Sequence, residues 1–201
     1  MSEIERWLAR EGFRAVAGTD EVGRGSLAGP VVAAAVILDG NCSIFGVNDS
    51  KQLAHHERLD LCRLIMCRAR AVAVGVVEPH IIDRINILQA SKLAMKEAVE
   101  NLTTRPDVLL LDAVNVDDLT LPQIPMIAGD RRSVTIAAAS VVAKVYRDLL
   151  MESYHWLFPQ YDFIHNRGYG TEGHGKALGE FGPTPIHRLT FLTADEPSLF
   201  D

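Results

Sequence analysis

No stretch of this 201-residue chain reaches the roughly 18 uninterrupted apolar residues of a membrane-spanning helix, so no membrane span is expected. The N-terminal segment Met1 to Arg10 lacks the continuous apolar core of a signal peptide and carries Glu3, Glu5, Arg6 and Arg10 instead. Cysteine is scarce. Cys42, Cys62 and Cys67 have no metal-ligand spacing and cannot all pair, which suits a reducing cytosol. Cys62 and Cys67 are expected to be buried in a helix. An excess of basic residues is also missing: 20 Lys and Arg face 26 Asp and Glu, for a net charge of -6. A nucleic-acid partner normally selects a basic face, but only the local field at the contact counts. An acidic site that recruits divalent cations can meet phosphate through them. No internal repeat and no low-complexity tract is visible.

What is present suits one globular core. Hydrophobic residues make up 48% and charged residues 23%, and the length fits a single domain. The expected division is one catalytic domain over residues 1–191, with a tail over 192–201. A cytoplasmic monomer is expected.

The chain is organised around Gly18-Thr19-Asp20-Glu21-Val22-Gly23-Arg24-Gly25-Ser26-Leu27-Ala28-Gly29-Pro30. Two adjacent carboxylates stand where the apolar run Ala15 to Ala17 stops, a glycine-flanked arginine follows, and a second apolar run covers Val31 to Leu38. Strand, charged elbow, strand is the economical reading, with Arg14 to Thr19 and Val31 to Leu38 as an antiparallel hairpin. A short amphipathic helix precedes it over residues 2 to 11, with Ile4, Trp7 and Leu8 on one side. Asn41 to Asn48 reads as loop and Asp49-Ser50 as a helix cap.

The spacing predicts a helix from His55 with Leu59, Cys62, Ile65 and Met66 on one face. A strand over Ala71 to Val77 follows, and then a helix over Pro79 to Leu102 with an irregularity near Asn86. Val108 to Leu111 is a fully apolar strand ending at Asp112, and Ile124 to Ala128 is a loop or short strand ending at Gly129-Asp130. A long helix runs from Val134 to Leu157, opening on the small residues Ala137-Ala138-Ala139-Ser140 and stopped by Pro159. Residues 160 to 175 suit an exposed functional loop. A short helix near Lys176 to Glu180 and the segment Pro185 to Phe191 close an α/β fold with a mixed sheet flanked by helices.

Asp20, Glu21, Asp112 and Asp130 all fall at or just beyond ends of predicted strands. Gathered at one sheet edge, they repel one another unless something positive joins them. Two Mg²⁺ or Mn²⁺ ions about 3.5–4 Å apart turn such a cluster into a clamp for in-line phosphoryl displacement by water, and oxygen-only ligands select these hard ions over zinc.

The blocks GTDEVGRGSLAGPVVAAAVIL, NDSKQL, IDRINILQASKLAM, LLLDA, AGDRRSVTIAAASVVAKVYRD, FIHNRGYGTEGHGKAL and TPIHRLTF resemble, in order and over nearly the whole chain, bacterial type 2 ribonuclease H (ribonuclease HII). The related family with an extra N-terminal substrate-binding domain (ribonuclease HIII) fits less well, because about a dozen residues precede the first strand. The resemblance implies a ribonuclease H-like fold. It also implies a metal-dependent endonuclease that cuts the RNA of RNA–DNA hybrids and incises at single ribonucleotides in duplex DNA.

The family's four acidic positions fall on Asp20, Glu21, Asp112 and Asp130, as metal ligands. Its glycine-arginine-glycine element falls on Gly23-Arg24-Gly25, where backbone groups read the 2′-hydroxyl, the atom that separates RNA from DNA. Its tyrosine falls on Tyr169, whose ring packs on the next sugar and demands a deoxyribose. Lys51 matches a backbone-contacting position. Ser140, Lys144 and Arg147 share a helical face by their spacing and can follow the strand. Arg131 and Arg132 are a basic pair able to offset the acidic site. Ala113 stands where the family more often has glycine.

His187 is expected to be structural, with His55, His56, His165 and His174 at the surface. The tail Asp195 to Asp201, with Leu199 and Phe200, loosely resembles the short motif by which bacterial replication proteins bind the sliding clamp. The rival reading is a nucleotide-binding module that uses the glycine-rich elbow as a phosphate cradle. Against it, Asp20 and Glu21 face the phosphate and no helix N-terminus follows directly.

Overall fold

A computed structural model describes residues 2–39, 54–112 and 114–192. Helix α1 (Glu3–Arg10) leads into strands β1 (Val16–Val22) and β2 (Val31–Leu38), then helix α2 (His55–Arg68), strand β3 (Ala69–Val77) and helix α3 (Pro79–Glu100). Strands β4 (Val108–Asp112) and β5 (Gln123–Met126) follow, with the one-turn helix α4 (Gly129–Arg132) and the long helix α5 (Val134–Leu157). A 3₁₀ turn (Pro159–Tyr161) and helices α6 (Phe163–Asn166), α7 (Glu172–Phe181) and α8 (Leu189–Leu192) close the chain.

The five strands form one mixed sheet in the order β3-β2-β1-β4-β5. Strand β1 pairs antiparallel with β2 and parallel with β4, and β5 adds parallel to β4. The layering follows from the two-residue period of a strand. On β2, Val31, Ala33, Ala35 and Ile37 pack with α3 residues such as Ile82, Ala94 and Met95. Val32, Ala34 and Val36 pack instead with Leu61 and Ile65 of α2 and with the small residues of α5. The apolar run is therefore buried on both faces, as expected of a strand inside an α/β/α sandwich.

Asp20 and Glu21 lie inside β1 rather than beyond its end, because antiparallel pairing with β2 carries the ladder through Asp20↔Ala34, Glu21↔Ala33 and Val22↔Val32. The irregularity near Asn86 is a break within α3: Asn86 has φ 67°, and its Oδ1 accepts from the N–H groups of Leu88 and Gln89, restarting the helix as a cap does.

Other expectations fail where a side chain found a partner or a wetter face. Glu5 turns inward and Trp7 is half-exposed, because the Glu5 carboxylate accepts from Ser133 Oγ at 2.6 Å and from Thr135 Oγ1 at 3.0 Å at the start of α5. On α2 only Leu61 and Ile65 are buried; Met66 and Cys67 are exposed and Cys62 is half-buried. That helix rests on the sheet through a narrow stripe. Residues 160 to 175 are not one exposed loop, since Tyr161, Phe163 and His174 are buried around the C-terminal half of α5.

Candidate active site

Pairing of β1 with β4 runs to Thr19↔Leu111, so one further step sets Asp20 beside Asp112. Helix α5 crosses this point at close range. A Cβ on Gly18 would lie 2.3 Å from the backbone nitrogen of Ile136, so only glycine lets the first turn of α5 rest on β1. That approach delivers Ser140 to the Asp20 carboxylate, where the two hydrogen-bond. Asp20, Glu21 and Asp112 line one cavity of about 370 Å³, together with Ser140 and Lys144 of α5 and Arg58 of α2.

The electrostatics are those of a crowded anionic pocket. Burial pushes the Asp20 carboxyl up to about 7; the hydrogen bond from Ser140 opposes this, while the charges of Glu21 and Asp112 add to it. Burial also raises Glu21, partly offset by Arg24, whose guanidinium stands 3.1 Å from Glu21 Oε1. Asp112 Oδ1 accepts the N–H of Gly129 at 2.9 Å, which fixes β4 to the start of α4. Among the described residues no three His, Cys, Asp or Glu side chains are already gathered tightly enough to hold a metal ion. The carboxylates instead line the cavity, with Glu21 paired to Arg24 and Asp112 to the Gly129 N–H. Their chemistry still fits a hard divalent cation: the donors are all oxygen, and a buried carboxyl raised this far is relieved by a positive charge.

Asp130 is buried on α4 one residue after Gly129 and does not line the cavity. Arg131 and Arg132 are exposed on the same turn. Lys144 reaches the cavity but donates to Asp148 Oδ1 at 2.7 Å. Lys51, the Asp49-Ser50 cap, Cys42, Ala113 and the tail with Leu199 and Phe200 lie outside the described residues.

Arg147 departs most clearly from expectation. It is fully buried, and its guanidinium donates to the carbonyls of Pro30, Ala28 and Arg167 and to Ser26 Oγ. It is turned away from any phosphate, because three backbone carbonyls and the Ser26 hydroxyl occupy its fork. Its counterpart is Arg188, also fully buried, which donates to the carbonyls of Gly23, Arg24 and Gly29. Burial and the neighbouring Arg147 push Arg188 down to about 9, which leaves it charged at neutral pH. Together the two arginines clamp the elbow from Gly23 to Pro30. Gly23, at φ +91°, lies so close to Arg147 that a Cβ there would come within 2.2 Å of Nε. From the sequence alone Arg188 carries no role, because a charged side chain is expected outside; its only signal is its position in the block TPIHRLTF.

The Tyr169 loop docks on the same elbow. Gly168 O accepts the N–H groups of Leu27 and Ala28 at 2.8 and 3.2 Å. The half-exposed Tyr169 ring lies 5.5 Å from the Arg147 guanidinium carbon. The glycine-arginine-glycine turn and the tyrosine are thus parts of one rigid block beside the acidic cavity.

Residues 17–194 match the ribonuclease HII family. The chain belongs to that family. Its members cleave the RNA of RNA–DNA hybrids and ribonucleotides in DNA, and metal dependence is typical of them; this protein is a ribonuclease H endonuclease. It is similar to ribonuclease HII of Lactobacillus delbrueckii subsp. bulgaricus, with 59% identity over 181 residues, spanning 90% of this chain and 70% of the relative. The solved ribonuclease H2 of Pyrococcus horikoshii superposes with a TM-score of 0.74 at 27% identity, covering 88% of this chain and 93% of that one. Ribonuclease HII of Archaeoglobus fulgidus, solved in complex with PCNA, superposes with a TM-score of 0.78 at 24% identity, covering 92% and 98%. A nucleotide-binding module is not favoured, since Pro30 and β2, not a helix N-terminus, follow the elbow. No helix among the described residues is long and apolar enough to cross a membrane.

Proposed function

We propose that Asp20, Glu21 and Asp112, with Asp130 completing the set, hold two Mg²⁺ or Mn²⁺ ions at this cavity. The single observation that carries this is the gathering of three carboxylates from adjacent strands around one cavity, with Asp20 raised to about 7 by burial and by its neighbours. Bound there, divalent ions would supply charge neutralisation at a phosphodiester and a water of lowered pKa. The protein's own groups do the rest. Ser140 orients Asp20 by a hydrogen bond, Lys144 offers a positive rim to the scissile strand, and Arg24 balances Glu21.

The turn Gly23-Arg24-Gly25 presents backbone to a ribose 2′-hydroxyl, with Gly25 open to solvent; a Cβ there would meet nothing within 4 Å. Tyr169 is the platform for the following deoxyribose. Lys51 contacts the strand. Residues 1–191 act as one catalytic domain, as a cytoplasmic monomer. The tail 192–201, with Leu199 and Phe200, docks on a sliding clamp; the complex of the Archaeoglobus relative with PCNA motivates this, and a clamp pull-down with and without the tail tests it.

The deciding assay compares a duplex carrying one ribonucleotide with its all-DNA counterpart, with and without Mn²⁺ or Mg²⁺. Wild type is expected to cut the first only, and only with metal. Asp20→Asn and Asp112→Asn are expected to fold and not cut. Near-normal turnover by either variant would refute the metal assignment.

A further inference from the structure

Thr184, His187, His174 and Tyr169 form a continuous hydrogen-bonded chain behind the elbow block. The Thr184 N–H donates to His187 Nδ1 at 2.9 Å, with Thr184 Oγ1 also 2.8 Å away. His187 Nε2 stands 3.0 Å from His174 Nε2, and His174 Nδ1 stands 2.9 Å from the Tyr169 carbonyl oxygen. The ends of this chain fix its protons. A backbone N–H can only donate, so His187 Nδ1 is bare and a neutral ring carries its proton on Nε2. That proton points at His174 Nε2, which must accept. His174 therefore carries its proton on Nδ1 and donates it to Tyr169, whose carbonyl can only accept. One arrangement of two protons satisfies every contact, and a third proton would set two N–H groups head to head.

We propose that His174 and His187 are positioning residues for ribose selection: a neutral one-way relay that holds the Tyr169 carbonyl and so aims its ring at the sugar. This rests on the reading of Tyr169 as the sugar platform. Three further observations support it. Both histidines are buried, at 0% and 2% exposure, and their rings lie against Tyr161 and Phe163, so no solvent competes for their nitrogens. The groups facing the pair are each other, those two rings, and the polar atoms of Thr184 and Tyr169. Arg188, the next residue after His187, spends its guanidinium on elbow carbonyls instead. Burial depresses both histidines below their ordinary value, which keeps them neutral. Finally, the relay ends where position matters. Tyr169 O also takes the Thr171 N–H at 2.9 Å, and Thr171 Oγ1 caps α7 through the His174 N–H. His174 thus joins the first turn of α7 to the loop that carries the ring.

Two measurements test the proposal. Nitrogen chemical shifts of the wild-type histidines at neutral pH should report His187 protonated on Nε2 and His174 on Nδ1; the opposite tautomers or a charged ring would overturn the relay. The second is the ratio of kcat/KM on a single embedded ribonucleotide to that on a long hybrid. His187→Leu should lower this ratio roughly tenfold, as the loss of one neutral hydrogen bond would. His187→Gln and His174→Asn, which can keep a donor at the same position, should restore most of it.

Tyr169→Ala separates this proposal from the reading beneath it. If Tyr169→Ala lowers the ratio and His187→Leu, folded, does not, the relay falls and the platform stands. If Tyr169→Ala leaves the ratio unchanged, the platform falls and the relay's role in ribose selection falls with it. If both lower it, His187→Leu should add nothing in the Tyr169→Ala background, and additive losses would show that the histidines act elsewhere.

Discussion

Gly18 and Ile136 meet backbone to backbone: a Cβ on the glycine would stand 2.3 Å from the Ile136 nitrogen and equally close to the Thr135 carbonyl carbon. The neighbour is helix backbone, which cannot swing aside as a side chain can. Gly18→Ala therefore has to lift the first turn of α5 from β1. The expected cost is about 2 kcal/mol, in the range of overpacked cores, and Ser140 should lose its hold on Asp20. Chemical denaturation and the single-ribonucleotide assay check both effects. A variant with unaltered midpoint and rate would show that α5 slides without consequence.

Without metal, Asp20 makes stability depend on pH. Its folded value, raised from 3.8 to about 7, means the folded state binds the proton more tightly. The contribution is full below pH 3.8 and is lost as pH rises through about 7. At pH 8 in chelator, Asp20→Asn is expected to be more stable than wild type by on the order of 4 kcal/mol, less whatever relaxation of the pocket recovers. Adding Mg²⁺ or Mn²⁺ should raise the melting temperature of wild type more than that of Asp20→Asn. Equal shifts would remove Asp20 from the cation site.

Arg188 is expected to be intolerant of its nearest chemical relative. Arg188→Lys keeps the charge and loses the planar fork that serves Gly23, Arg24 and Gly29 together. A loss of about 3 kcal/mol is expected, the scale of a charge-assisted hydrogen bond with its carbonyls left unpaired. Increased hydrogen exchange confined to the elbow would locate the damage. A lysine variant as stable as wild type would mean that the elbow is held by its backbone pairing alone.

His187 gives pH dependence of the opposite sign. Its folded value is lowered from 6.5 to about 4, by burial first and then by His174. The unfolded chain takes up the proton first, so the contribution is present above pH 6.5 and is lost as pH falls toward about 4, on the order of 3 kcal/mol in all. Asp20 titrates over an overlapping range with the reverse slope, so wild type alone can appear flat. The difference between wild type and His187→Gln isolates the histidine. An unchanged difference between pH 7 and pH 4.5 would contradict its burial in the neutral form.

Much of the frame was legible because its signals are local. The apolar run Val31 to Leu38, the start of α5 at Val134 and its stop at Pro159, the break at Asn86 and the hairpin through the elbow all follow from periodicity and from proline, glycine or asparagine placed where the backbone needs them. That Asp112 closes a buried apolar strand was legible for the same reason, whereas the pairing with β2 that carries β1 on through Asp20 and Glu21 was not. The direction of a charged side chain was not. Arg147 shares a helical face with Ser140 and Lys144, and spacing alone sent all three toward the strand; carbonyls more than a hundred residues away in sequence drew Arg147 inside.

Local order along the chain, then, set the strands, the helices and the stretches that carry the carboxylates, since those depend on neighbours a few residues apart. Which polar groups are buried, which arginines clamp the elbow and which tautomers the paired histidines adopt came only with the tertiary structure. Each of these is fixed by a partner that the chain brings near only on folding, and a buried donor or acceptor is stable only where that partner stands within hydrogen-bond reach.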